Sequence, residues 1–274
     1  MTGRPSRWLE LDGAVNARDV GGLPTTEGGW TRAGVLYRAD NLQDLSAADV
    51  HLLVDDLGVR TVLDLRTDGE VHLEGPGPLW ADGRVTHHHL TLIPHGLHAR
   101  RDLERKQTAD AEAAADAVDV ARAIPDETPS GHEDMSGNYI GYLQDAPTSV
   151  ARALTLIADS ASGGCIAHCA AGKDRTGVVV ALALLIVGVR RDAVIDDYLL
   201  TGERIEAIRD RLSASPTYSS DMAQRTVDSM RPHARNMQGF LDHLDEEFQG
   251  LAGLTSWLGL TDGTVAALRA RLLH

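Results

Sequence analysis

One apolar stretch in the middle of the chain constrains the fold more than any other feature. Cys165–His168 is an apolar run of strand length, and Val178–Val189 is a twelve-residue apolar run with the length of a helix. Twelve residues are too few to span a bilayer. We therefore expect a buried strand that leads, through the polar loop at residues 169–177, directly into a buried helix.

The rest of the chain alternates strand-like and helical patterns. Three further strand-like runs are present: Val35–Arg38, Thr61–Arg66 and Val85–Ile93. Ser46 predicts the N-cap of a helix that ends at Gly58, and Thr261 predicts the cap of the last helix. From residue 192 onward the pattern is helical almost throughout. This alternation predicts an α/β fold, with a central, mostly parallel sheet flanked by helices.

Residues 97–135 interrupt the alternation. The segment is rich in alanine and charge and poor in large apolar residues, so it favours helix but carries too little apolar surface for a core. We predict one domain over residues 1–274, with a helical, lid-like insertion at about residues 97–135. A solvated helical excursion without a function is the alternative.

Charge and cysteine content narrow the class of protein. The net charge of −14 over 274 residues argues against broad binding to nucleic acid or to an anionic membrane. The N-terminus lacks the apolar run of a signal peptide, and two cysteines four residues apart predict free thiols. We expect a monomer without stable membrane insertion, located in the cytoplasm or secreted without a signal peptide of the usual kind.

The polar loop has the chemistry of an anion-binding site with a nucleophile. It lies at a helix N-terminus, where backbone N–H groups lack partners and the helix dipole is positive. The same field favours the thiolate of Cys169, which is the nucleophilic form of cysteine. Gly172 allows a tight turn, and Arg175 and Lys173 add two cations. These groups suit phosphoryl transfer to a thiolate.

Two other motifs that use similar residues do not fit. A nucleotide-binding P-loop needs glycine where Ala167 stands and serine or threonine where Asp174 stands. A zinc or redox site needs a C-x-x-C pair, and "CIAHC" has neither that spacing nor further cysteine ligands. We therefore predict no metal and no cofactor.

The ten residues His168–Gly177, "HCAAGKDRTG", resemble the signature loop of the cysteine-dependent protein tyrosine phosphatases. The likeness is strongest to their bacterial tyrosine/serine phosphatase branch, which has mycobacterial members. Further similar segments are Asn16–Gly22, Val35–Asp49, Leu57–Val71, Val194–Leu200 and the C-terminal "TDGTVAALRARLL". Only the insertion and residues 213–235 lie outside the resemblance, which implies a tyrosine-phosphatase-like fold.

The resemblance implies a role for each residue of the loop. Cys169 would be the nucleophile that forms a phosphocysteine, and Arg175 would bind phosphate and stabilise the transition state. Thr176 would stabilise the departing sulfur, and His168 would orient the loop and help to keep the thiol ionised. The phosphate would be held by the backbone of Ala170, Ala171, Gly172, Lys173, Asp174 and Arg175.

The general acid is less well defined. Asp174 lies inside the loop, where related phosphatases with an aspartate are thought to use it, and we prefer it as the proton donor. In other relatives of this branch, an acidic residue follows the strand that here ends in Pro94 and His95. His95 and an acidic residue of the insertion are therefore the alternatives.

The expected activity is metal-independent hydrolysis of phosphomonoesters, with phosphotyrosine in proteins or peptides as the leading substrate and phosphoserine or phosphothreonine in addition. Lys173 resembles the extra loop cation of relatives that accept phosphoinositides, so a phosphoinositide phosphatase is one alternative. A silent domain that only binds phosphorylated ligands is another, and a thiol-based sulfur or arsenate enzyme is a more remote one.

Several charged residues outside the loop are assigned a structural role. We predict that they form a buried ion network that positions the loop: Arg18, Asp19, Arg38, Asp64 and Arg66. Cys165, on the strand before the loop, is predicted to be a core residue rather than a resolving thiol.

Overall fold

In the part of the chain that the structure describes, five strands form a single sheet in the order β1-β2-β5-β3-β4. Their bounds in this computed structural model are β1 Arg18–Asp19, β2 Leu36–Ala39, β3 Val59–Asp64, β4 Thr86–His89 and β5 Gly164–His168. β1 pairs antiparallel with β2, and the other neighbours are parallel. The predicted mostly parallel α/β sheet is therefore confirmed. The two-residue β1 was missed because it is too short to show a periodic pattern.

The structure describes residues 6–93, 135–159 and 163–274. The lid-like insertion predicted at about residues 97–135 lies outside these ranges apart from Met135, and His95 lies outside them too. The single domain with its insertion stays a prediction.

Helices flank the sheet and make up most of the C-terminal half. Their bounds are α1 Ala47–His51, α2 Asp68–Glu74, α3 Ser136–Asp145, α4 Pro147–Asp159, α5 Asp174–Ile186, α6 Arg191–Leu199, α7 Ile205–Ala214, α8 Ser219–Met222, α9 Val227–Met230, α10 Ala234–Phe248, α11 Leu251–Trp257 and α12 Asp262–Leu272. None of the helices in these described ranges is long and apolar enough to cross a membrane.

The two predicted helix caps are present. Ser46 forms a reciprocal capping box with Asp49, and α1 continues as the π-helical turn Leu52–Asp56, which ends two residues before Gly58, whose φ is +66°. The Thr261 hydroxyl accepts a hydrogen bond from the Thr264 N–H at 3.1 Å and caps α12.

Two hydrophobic cores lie on opposite faces of the sheet, because successive strand side chains point to opposite sides. On β5, Cys165 and Ala167 belong to the core that contains α5, while Ile166 belongs to the core that contains Leu53 of the π-helical turn. Cys165 is fully buried, which confirms its core position.

The helix that follows the loop is buried all round. Every residue of α5 from Thr176 to Ile186 is buried, so the helix has no polar face. This burial fixes the N-terminus of α5 at the carboxyl end of β5.

Candidate active site

The candidate site is the loop between β5 and α5. β5 lies between β2 and β3 and ends at His168, and the chain then turns through Cys169–Lys173 and enters α5 at Asp174. Cys169 is 2% exposed. The carboxyl edge of a parallel sheet and a helix N-terminus meet here, which is a common location for ligands in α/β proteins.

Three carbonyl groups of the loop point outward to hydrogen-bond donors. Ala170 O accepts from the Asn41 N–H at 3.1 Å, Ala171 O accepts from Asn16 Nδ2 at 2.9 Å, and Gly172 O accepts from Arg38 Nη2 at 2.8 Å. The N–H of a trans peptide unit points away from its carbonyl. The amides of residues 171–173 therefore face the inside of the loop, as an anion cradle requires.

Gly172 is required by the backbone at this turn. Its φ is +65°, and a Cβ at this position would lie 2.5 Å from Ala39 O and 2.6 Å from the Asp40 nitrogen. Both neighbours are backbone atoms, so they can move away from a Cβ only if the backbone of residues 39 and 40 is displaced. Any other residue here would push the loop away from β2.

Both carboxylate oxygens of Glu70 accept hydrogen bonds from the Arg175 guanidinium. Its Nη1 lies 2.5 Å from Glu70 Oε2 and its Nη2 lies 2.9 Å from Oε1, and Nη1 also approaches Leu65 O at 3.4 Å. Burial opposes ionisation of Glu70, but the hydrogen bonds and charge of Arg175 lower the pKa of that carboxyl to about 2. The guanidinium is thus oriented before any substrate binds.

Asp174 is held as a carboxylate. Its Oδ1 accepts hydrogen bonds from Lys173 Nζ at 2.8 Å and from the Tyr139 hydroxyl at 2.5 Å, and Tyr139 also contacts the Tyr198 hydroxyl at 2.8 Å. Burial alone would raise the pKa of Asp174, but the Lys173 ammonium and these hydrogen bonds hold it below its usual value. In this state the group accepts protons rather than donates them.

His168 and Thr176 are buried on either side of the cysteine loop. Burial lowers the pKa of His168 to about 4, although the Asp64 carboxylate, 3.7 Å from Nε2, opposes the shift. The imidazole is therefore neutral near pH 7 and adds no positive charge beside Cys169. The Thr176 hydroxyl is fully buried and has no hydrogen-bond partner within the described ranges.

The predicted ion network is divided into two separate groups. Arg38 and Arg18 pair with Asp197, with Arg38 Nη1 at 2.7 Å from Oδ2, and Arg38 is the residue that contacts the loop. Arg66 pairs with Asp64 at 2.6 Å. Asp19 forms no ion pair with either group among the residues that the structure describes, and its carboxylate accepts instead from the N–H groups of residues 21 and 34. The prediction is thus confirmed for Arg38 and wrong for Asp19.

A model of the tyrosine phosphatase family matches residues 9–274 of the sequence, which includes the whole of this loop and all five strands. The chain belongs to the tyrosine phosphatase family. The triple specificity protein phosphatase PtpB of Mycobacterium tuberculosis is 30% identical, over 96% of this phosphatase and 98% of the relative.

Two more relatives match over smaller shares of their length. A putative tyrosine-protein phosphatase of Cupriavidus necator is 31% identical over 72% of this chain and 63% of its own. A tyrosine-protein phosphatase of Nostoc commune is 24% identical over 88% of this chain and 74% of its own.

Three residues of the site were not predicted from the sequence: Glu70, Tyr139 and Asp197. Glu70 carries a local signal, because Thr67 and Glu70 have the capping-box spacing and form that box at the start of α2. Asp197 lies in a segment of the family resemblance but has no local signal for its partners. Tyr139 follows the insertion and has none either.

The neutral, buried state of His168 predicts a pH-dependent stability. The unfolded chain binds a proton on this histidine below about pH 6.5, whereas the phosphatase binds it only below about pH 4. The contribution of the neutral imidazole to the free energy of unfolding is fully present above about pH 6.5. It is lost as the pH falls from about 6.5 to about 4, which lowers the free energy of unfolding by about 3 kcal/mol. His168→Asn should remove this pH dependence of stability. Urea unfolding at several pH values between about 4 and 6.5 measures it.

The matched control is His51→Asn, because the His51 side chain is 68% exposed. In this control variant, the free energy of unfolding should fall with decreasing pH as it does in the unchanged phosphatase. An equal decline in the His168→Asn variant and in the parent would show that His168 is not the group that titrates.

Proposed function

We propose that this phosphatase hydrolyses phosphotyrosine in proteins through a phosphocysteine intermediate, and that it accepts phosphoserine and phosphothreonine in addition. The main support is the set of inward-facing amides of residues 171–173, next to Cys169 and the preoriented Arg175. The printed name of the Mycobacterium tuberculosis relative, a triple specificity phosphatase, supports the broader substrate range.

In the first step the Cys169 thiolate attacks phosphorus, an S–P bond forms, and the P–O bond to the tyrosine oxygen breaks. Arg175 and the backbone from Ala170 to Arg175 bind the non-bridging oxygens and stabilise the charge that spreads over them. The leaving oxygen takes a proton from Asp174. Positioning and charge supply most of the catalysis in this kind of reaction.

In the second step water attacks phosphorus, the S–P bond breaks, and the Asp174 carboxylate takes the proton from water. The released sulfur is again a thiolate. Thr176 is suited to donate a hydrogen bond to it, because its hydroxyl is buried and has no other partner within the described ranges. His168, as a neutral imidazole, would orient the loop through packing and hydrogen bonding rather than through charge.

The proton donor requires a change at Asp174 when substrate binds. In the chain alone, Lys173 and Tyr139 stabilise the carboxylate. A phosphate dianion in the loop competes for Lys173 and adds negative charge beside Asp174, and both effects raise the pKa of that carboxyl. Lys173 would then be the second phosphate-binding cation.

Asp174→Asn should slow an aryl phosphate with a poor leaving group by about 100-fold, and one with a good leaving group by only a few-fold. Only the poor leaving group needs the proton. Steady-state kcat for a series of substituted phenyl phosphates measures the difference. Equal slowing across the series would assign the proton to another group, with His95 and the acidic residues of segment 97–135 as the remaining candidates.

The covalent intermediate can be observed directly. Rapid denaturation of the phosphatase during turnover of an aryl phosphate, followed by fragmentation mass spectrometry, should place a phosphoryl group on Cys169 and not on Cys165. Turnover that needs an added divalent cation, or a phosphoryl group on another residue, would contradict the mechanism.

Phosphoinositide hydrolysis is the second candidate function. Lys173 gives the loop a second cation beside Arg175, and its Nζ lies at 2.8 Å from Asp174. A direct comparison of phosphoinositides with phosphopeptides tests it.

A further inference from the structure

A cleft of about 440 Å³ lies beside the cysteine loop. Ala170, the residue after Cys169, is one of its lining residues. The other walls come from residues 40–44, residues 73–74 and residues 208–218. A substrate that places its phosphate in the loop therefore has this cleft next to its leaving group.

The cleft is lined by more carboxylates than cations. Arg211 is the single basic residue of the lining within the described ranges, and two carboxylates share it: Asp40 at 2.5 Å and Asp44 at 3.0 Å. Asp40 is buried, whereas the Asp44 side chain is 76% exposed. Glu74 adds a third carboxylate, which accepts hydrogen bonds from Asn41 and Ser215. An acidic cleft thus adjoins a basic loop.

One polar atom of the cleft residues, Gln43 Oε1, is buried without a hydrogen-bond partner among the residues that the structure describes. The Tyr218 hydroxyl of the cleft is also buried, beside the Glu70 carboxylate that can accept its hydrogen bond. Burial, reinforced by the Glu70 and Glu74 carboxylates, raises the pKa of Tyr218, so its hydroxyl keeps its proton. A buried acceptor without a partner is costly, and a ligand that donates a hydrogen bond to Gln43 Oε1 would offset that cost.

We propose that this cleft is a recognition subsite for a lysine or arginine side chain close to the phosphorylated residue of a peptide substrate. This inference rests on the proposed function and specifies its substrate. The exposed carboxylate of Asp44 attracts the cationic side chain, and the peptide backbone carries N–H groups that can donate to Gln43 Oε1. A phosphoinositide headgroup with further phosphates would be repelled by the same carboxylates.

The test is a phosphotyrosine peptide in which lysine, glutamine or glutamate is placed in turn at each nearby position. At the best position, kcat/KM should be about 5-fold higher for lysine than for glutamine, and lower again for glutamate, as expected for one partly screened charge pair. Asp44→Asn should reduce the preference to less than about 2-fold, and Asp44→Lys should reverse it in favour of glutamate.

Asp242→Asn is the matched control. Asp242 is also an exposed aspartate paired with arginine, at 2.5 Å from Arg191, but it does not line the cleft. This variant should keep the full lysine preference. Equal kcat/KM for lysine and glutamate at every position would overturn the subsite, and so would faster turnover of a phosphoinositide than of every peptide.

A small aryl phosphate separates this inference from the proposed function, because it carries no group that reaches the subsite. If the aryl phosphate is hydrolysed but the peptides show no charge preference, the subsite is wrong and the proposed function stands. If the aryl phosphate is not hydrolysed at all, the proposed function itself fails.

Discussion

Cys169→Ser is expected to lower kcat for an aryl phosphate by on the order of 10⁵-fold, while phosphate still binds. The serine hydroxyl is not ionised near neutral pH, so the attack on phosphorus is lost. The inward-facing amides and Arg175 do not depend on the sulfur, because they are held by Asn41, Arg38 and Glu70. Initial rates measure the first effect, and calorimetric titration with phosphate or vanadate measures the second.

Cys165→Ser is the control for this result. Cys165 lies on β5, fully buried in the core and only four residues before Cys169. Its replacement should reduce stability but leave kcat within a few-fold of the parent. Turnover by the Cys169→Ser variant at the parent rate would refute the thiolate mechanism.

The cysteine loop could be predicted because its information is local. A strand of residues 165–168, a turn that needs Gly172 and a buried helix follow one another within the sequence. The structure adds the reason that Gly172 is required, because the clash of a Cβ with Ala39 involves a strand far away in the sequence. Periodicity reports which residues are buried, but it does not report which strand lies alongside.

The missed contacts are long-range ones. The capping box at Thr67 could have shown that Glu70 lies in the first turn of a helix, but not that its carboxylate binds Arg175. The protonation states of Asp174 and His168 could not be predicted from the sequence either. Asp174 is ionised because the Lys173 ammonium and the Tyr139 hydroxyl stabilise its carboxylate, and His168 is neutral because it is buried. The Tyr139 contact and the burial of His168 both depend on packing.

Asp197→Asn is expected to cost about 4 kcal/mol of the free energy of unfolding, because it removes the counter-charge of a buried cluster. The Asp197 carboxylate is 1% exposed and pairs with Arg38 at 2.7 Å, Arg7 at 2.8 Å and Arg18 at 3.5 Å. Burial would raise the pKa of Asp197, but the Arg18 and Arg38 charges hold it well below its usual range. Urea unfolding near pH 7 measures the loss.

The same variant should weaken phosphate binding, because Arg38 links the cluster to the loop. Arg38 donates to Gly172 O at 2.8 Å, and without Asp197 its guanidinium loses the contact that orients it. We expect a rise of about 10-fold in the phosphate Kd.

Asp192→Asn is the control: Asp192 lies on the same helix and pairs with Arg190 at 2.5 Å, but it is 60% exposed. It should cost less than about 1 kcal/mol. If the Asp197 variant loses no more stability or affinity than this control, the buried cluster does not hold the loop in place.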